Sequence, residues 1–278
     1  MIQNQKSITF LQSVGDGPEQ TFDIALAALH LAALTRSRVD LNPAELHLES
    51  MVRDVSTRAQ NEMSVSADVA ASILADIVAQ QNRYRGDDQT YDDLQNADLL
   101  SVIERRLGLP VALGILYIHV ARAQGWQAFG LNFPGHFLIA LELGGSRVIL
   151  DPFHEGVCRT PPELRELLKL SAGQGAELNA NMFVPVPDRG VLLRLLSNTR
   201  LRQLQMRRLE DASETMDAML WIAPQQPELW RDAGMLRAQL GNLGAAIEAL
   251  ETAIDCDTPS ARQQETAALL QQLRQRLN

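Results

Sequence analysis

Leu107-Gly108-Leu109-Pro110-Val111-Ala112-Leu113-Gly114-Ile115-Leu116-Tyr117-Ile118-His119-Val120-Ala121-Arg122-Ala123-Gln124-Gly125 is the stretch whose reading decides the fold. Proline suits the first helical turn, where its missing N–H costs nothing, and glycine commonly follows the last turn. The pattern therefore predicts a helix that starts at Gly108-Leu109-Pro110 and runs to Gln124 before Gly125 stops it. Val111, Leu113, Ile115, Leu116, Tyr117, Ile118 and Val120 surround its axis. A helix that is apolar on nearly all sides is a buried one.

Downstream, Gln127–Phe133, His136–Glu142 and Arg147–Asp151 read as short strands, the last two joined by Gly144-Gly145, a strong hairpin signal. The expected core is a central helix on an antiparallel sheet. If the two glycines form a two-residue loop, Leu143 pairs with Ser146 and, counting outward, Leu138 with Asp151. His136 and Asp151 then share a sheet face as diagonal neighbours, about 7–8 Å apart at the backbone. A three-residue loop would separate them, so the inference rests on turn length. Upstream, apolar residues recur at helical spacing in Phe22–Leu34, Ala44–Ala59 and Ser66–Gln81. Asn82–Asp93 reads as a loop, and Asp98–Arg106 as a further helix.

Composition excludes several classes of function. With 46% hydrophobic and 21% charged residues among 278, the chain should fold, as one main domain with an appendage. A net charge of −9 disfavours nucleic acid as the main partner. The opening Met1–Val14 lacks the apolar stretch of a secretory leader, and the densest apolar runs are too short to span a bilayer. No membrane association is expected. Two cysteines, Cys158 and Cys256, without a CxxC pattern suit free thiols in a reducing, cytoplasmic compartment. No cofactor motif is present, and none is expected.

From about Val191 the pattern returns to helix. Taking Trp230 as the aromatic position of a tetratricopeptide (TPR) repeat, whose period is about 34 residues, places Gly234, Gly241, Ala246, Leu250 and Ala253 at small or apolar positions. One period earlier lie Arg200, Arg207, Ala212, Met216 and Met219, a degenerate copy closed by Pro224. The expected division is 1–190, a helical lead-in plus core, and 191–278, a helical repeat tail. Five arginines, at 194, 200, 202, 207 and 208, make a basic stretch in an acidic chain. Such a run is usually a solvated face. Its functional reading is a groove in which Arg200, Arg207, Arg208 and Trp230 hold a protein or peptide partner, because guanidinium groups grip carboxylates bidentately.

The blocks Ile103-Glu104-Arg105-Arg106-Leu107-Gly108-Leu109-Pro110, Phe133-Pro134-Gly135-His136-Phe137-Leu138 and Leu150-Asp151-Pro152-Phe153, in this order, resemble the SirB-type transglutaminase-like proteins, which often end in TPR repeats. The resemblance implies an α+β, papain- or transglutaminase-like core. In that superfamily a cysteine opens the central helix, a histidine sits on the next strand and an aspartate on the one after. Here those positions fall on Pro110, His136 and Asp151. A thiol at a helix N-terminus is activated by the macrodipole and free N–H groups; a pyrrolidine ring has no nucleophilic atom. SirB-type relatives, the resemblance implies, generally lack this cysteine too. The expectation is a pseudoenzyme core, its catalytic pair His136 and Asp151 vestigial, that binds a protein partner.

The alternative is a hydrolase or acyltransferase in which His136 acts as base, Asp151 orients it, and water or Cys158 attacks. A lone cysteine is more often a small buried hydrophobe than a nucleophile. A metal site of His136, Asp151 and His154 is disfavoured because strand alternation points His154 away from Asp151, unless Pro152 breaks the strand. The bland reading of His136 and Asp151 is a buried structural brace. His119 is read as a satisfied core histidine.

Overall fold

The computed structural model describes residues 2–18, 22–36, 38–258 and 261–277. They form two compact units, one of residues 1–7 and 19–195, the other of residues 8–18 and 196–278.

The first unit opens with the start of helix α1 (Ile2–Asp16), then α2 (Ile24–Leu34), α3 (Asn42–Gln60) and α4 (Ala67–Ala75), which continues as a π-helical turn over Asp76–Gln81. Local chemistry sets these starts: the Asp23 carboxylate accepts from the N–H groups of Ala25 and Leu26, and Ser66 accepts from Val69. A two-residue strand β1 (Arg85–Gly86) follows, inside the stretch expected to be a loop. Beyond α5 (Leu99–Arg105) it pairs in parallel with β2 (Leu107–Gly108). Such a pair is too short to leave a period-two pattern.

Helix α6 (Pro110–Ala123) begins at the expected proline, with Leu109 extended before it and its N–H donating to the Asn96 carbonyl at 2.8 Å. Its side chains from Val111 to Ile118 are buried on every side. Strands β3 (Gln127–Leu131), β4 (Leu138–Leu143), β5 (Ser146–Asp151) and β6 (Val157–Cys158), helix α7 (Pro161–Ala172) and strand β7 (Pro185–Val186) complete the unit. The antiparallel sheet has the order β6-β5-β4-β3-β7. Gly144 and Gly145 both have positive φ, 60° and 80°, as a two-residue hairpin loop of opposite twist requires. The register follows, with Leu143 opposite Ser146 and Ile139 opposite Leu150.

One sheet face carries Leu131, Leu138, Ala140 and Ile149 against Leu164 and Leu168 of α7. The other faces α6 across Phe137. A Cβ on Gly114 of α6 would stand 2.4 Å from the Phe137 ring, and one on Gly130 of β3 2.6 Å from it. The ring therefore occupies the space two missing side chains leave.

The second unit is helical: the end of α8 (Asp188–Gln205), then α9 (Leu209–Ile222), α10 (Pro227–Gln239), α11 (Leu243–Cys256) and α12 (Ala261–Leu277), with Ile8–Asp16 of α1 added to them. Ala212, Met216 and Met219 are buried, as are their counterparts one repeat later, Ala246, Leu250 and Ala253. Gly234 lets α10 meet α11, since a Cβ there would stand 2.7 Å from Leu250. The turns inside the two helical pairs are left-handed at Gly241 (φ 82°) and at Arg207 (φ 59°). The first copy thus keeps the backbone of the second without its glycine.

Two stability measurements follow. Gly114→Ala should overpack the Phe137 slot and lower unfolding stability by about 1–3 kcal/mol, read from denaturant midpoints. Arg207→Gly should raise it by roughly 0.5–1 kcal/mol by relieving the left-handed arginine; no rise would show that its side chain holds the turn by contacts that glycine cannot replace.

Candidate functional site

Asp151 ends β5, and Pro152 after it cannot continue a ladder, so the chain turns at once into a 3₁₀ segment, Pro152–His154. The Asp151 carboxylate caps that segment, Oδ1 accepting from the N–H groups of Phe153 at 3.1 Å and His154 at 3.3 Å. Oδ2 accepts from His154 Nδ1 at 2.8 Å and from Arg159 Nη2 at 2.7 Å and Nε at 3.1 Å. A carboxylate only accepts, so Nδ1 of His154 carries the proton and Nε2 is left for other partners. Asp151 is buried while His154 is exposed.

The expected alternation, with His154 pointing away from Asp151, is therefore overturned. Pro152 breaks the strand and folds His154 back onto the carboxylate.

His136 lies outside the ladder. Phe133-Pro134-Gly135-His136 is a turn, with His136 N–H donating to the Phe133 carbonyl at 3.3 Å and Gly135 at φ 72°, and β4 begins only at Leu138. Arg194 donates to the His136 carbonyl at 2.8 Å, and the ring lies beside Phe133, centroids 6.4 Å apart. Among the described residues, the Asp151 carboxylate is bonded to His154 and Arg159 and not to His136. Burial holds the His136 imidazole below its ordinary pKa; Asp151 pulls it up, while His154, Arg159 and Arg194 push it down.

At the head of α6 stands Pro110, in the first helical turn. Cys158 pairs with Leu150 across β5 and β6, whereas Asp151 pairs with Val157. Directly paired residues share a face and successive ones alternate, so Cys158 lies on the face opposite Asp151. Burial and the nearby Asp68 raise its thiol pKa, the reverse of what a nucleophile needs. Deeper in α6, the buried Tyr117 hydroxyl has no hydrogen-bond partner among the described residues and sits where a Cβ on Gly156 would come within 2.6 Å. Among the described residues no group of three or more His, Cys, Asp or Glu is placed to hold a metal ion.

The sequence reading weighed His154 only as a metal ligand turned away from Asp151, placed Arg194 in the basic stretch, and missed Arg159. His154 was signalled by Asp151-Pro152, an N-cap followed by a helix-starting proline. Arg159 and Arg194 had no local signal, since each reaches the site through tertiary packing. His119, read as a core histidine, pairs with Asp23 at 2.7 Å. Sequence reasoning also passed over His47, whose Nε2 lies 2.9 Å from the buried Tyr84 hydroxyl, with Arg106 bonded to both.

In the repeat unit two of the three candidate binding arginines have internal partners. Arg200 pairs with Asp232 at 3.0 Å and Arg208 with Asp211. Arg207 is exposed at its left-handed turn, and Trp230 donates through Nε1 to the Pro224 carbonyl at 2.7 Å.

Two expectations test this geometry. Asp151→Ala should cost about 3–5 kcal/mol by leaving Arg159 unpaired and the 3₁₀ turn uncapped, whereas Cys158→Ala should be near neutral in the same melts. His30, His47 and His136 all have pKa values lowered by burial from 6.5. Below pH 6.5 the unfolded chain therefore takes up protons before the folded one. Stability should fall as pH drops from 6.5 to the depressed values, and His136→Gln should flatten part of that slope in denaturant titrations at stepped pH.

Residues 42–197 match the transglutaminase-like superfamily, and residues 200–278 match the tetratricopeptide repeat. A UPF0162 protein of Xylella fastidiosa is 36% identical over 171 residues, 60% of this chain and 61% of that protein. The UPF0162 protein of Pseudomonas aeruginosa is 29% identical over 266 residues, 94% of this chain and 88% of the relative. F-box only protein 21 of Mus musculus is 27% identical over 166 residues, 55% of this chain but 25% of that protein. No solved structure matches the chain. With its core match covering more than half of its length, the chain belongs to the transglutaminase-like superfamily, with a TPR region behind the core and UPF0162 proteins among its relatives over much of its length.

Proposed function

We propose that this chain is a non-catalytic protein-interaction module of the cytoplasm, a transglutaminase-like core without its nucleophile that carries a TPR region for a protein or peptide partner. The observation that carries the reading is Pro110 in the first turn of α6, where the superfamily's chemistry needs a thiol. The remaining geometry supports it. Asp151 spends its carboxylate on a turn, His154 and Arg159, which makes it a brace rather than an orienting group for His136. Cys158, the one thiol near the site in sequence, lies on the other sheet face and its pKa is raised. The reading also draws on the repeats: stacked helical pairs expose continuous surfaces suited to extended segments. No helix of the described residues is long and apolar enough to cross a membrane.

The test is turnover. Purified protein with a glutamine-containing peptide and a primary amine, or with a fluorogenic amide, should give no product above buffer. Wild-type turnover that disappears in His136→Ala would sink the non-catalytic reading. Pro110→Cys should fold, because the first turn tolerates either residue, and any activity it gains would mark the core as catalytic machinery that lost its nucleophile.

A further inference from the structure

Within the repeat unit, Asp16, Asp217, Leu220, Trp221, Pro224 and Trp230 line a cleft of about 400 Å³, room for one long side chain rather than for a folded surface. Its chemistry is one-sided. Arg237, also in its lining, is paired with Asp217 at 2.7 Å and so answers one carboxylate of two. Asp16 is exposed and has no ion pair among the described residues. It is also the last residue of α1, and Trp221 stands in the last turn of α9, so two helix C-termini meet here. A Cβ on Gly15 would stand 2.1 Å from the Trp221 carbonyl oxygen, which shows how closely α1 is seated on α9. Helix C-termini carry partial negative charge and usually hold a basic residue nearby, yet neither of these has one in its last turn. The apolar lining includes two indoles, whose faces attract cations. Trp230 is fixed by its bond to Pro224.

We propose that this cleft receives a lysine or arginine side chain from an extended segment of a protein partner, with Asp16 and the two helix ends supplying the charge and Trp221 and Trp230 the walls. The inference builds on the reading of the chain as a protein-interaction module, and it replaces the arginine-lined groove with an acidic aromatic pocket as the point of capture.

The full chain is titrated with a blocked alanine peptide bearing two lysines, and with otherwise identical peptides bearing norleucine or glutamate. Two of the three tryptophans line the cleft, so intrinsic fluorescence reports occupancy, with calorimetry alongside. The lysine peptide should bind about tenfold or more tighter than either control, and more weakly as salt rises. Asp16→Asn, an exposed and mild change, should weaken it about three- to tenfold. Trp221→Phe, checked for an unchanged melt, should weaken it and diminish the fluorescence change. Glu62→Gln, an exposed acid in the other unit, should change nothing. Equal binding of the three peptides, tighter binding of the glutamate peptide, no effect of Asp16→Asn, or an equal effect of Glu62→Gln would each overturn the proposal. None of these outcomes bears on amide turnover, so the pocket can fail while the non-catalytic reading stands.

Discussion

The burial of α6 on all sides is the constraint on which the core depends. Helices α2, α3, α4 and α5, strands β3 and β4 and the Pro152–His154 turn all pack against it. Such a helix has no solvent face along which to slide or rotate, and close-packed interiors tolerate little change in volume. Gly114 and Gly130 open the space that Phe137 fills, and this ring locks the first strand of the hairpin to the helix. The head of α6, the Pro134-Gly135 turn and the end of β5 are consequently held in place by packing around α6.

Asp151 shows how its surroundings hold a buried charge. A carboxylate buried beside an imidazole is the expected relic of a catalytic pair, yet here its lone pairs go to two backbone N–H groups, His154 and Arg159. Unpaired burial of this charge would be costly, and Arg159 removes that cost without reference to any substrate. The same arginine-for-structure pattern recurs in the repeat unit, where Arg200, Arg208 and Arg237 each meet an aspartate. Two arginines of the basic stretch, Arg200 and Arg208, thus spend their charge on aspartates of the same unit.

Residues near in sequence and patterned by one element were readable directly. Pro110 and Gly125 bracket α6, Gly144-Gly145 sets the β4–β5 register, and the small residues at repeat spacing place α10 against α11. Helix α7 carried a readable start as well, the reciprocal Thr160–Glu163 capping box, which the reading passed over. The edge strands β6 and β7, two residues each, were beyond the reach of any periodicity.

The sequence by itself determined the helix-on-sheet core, the two-residue hairpin, the repeat tail and the proline that opens α6, because each is written in local backbone preference or side-chain identity. Only the tertiary structure decided what Asp151 touches. A break at Pro152 folded the exposed His154 back onto the carboxylate, and Arg159 arrived by packing, so the partners of the carboxylate were set by the turn and by where separate elements come together. The acidic cleft has the same origin: α1 and α9 lie some two hundred positions apart in the chain, and no local pattern foretells that their C-terminal ends meet.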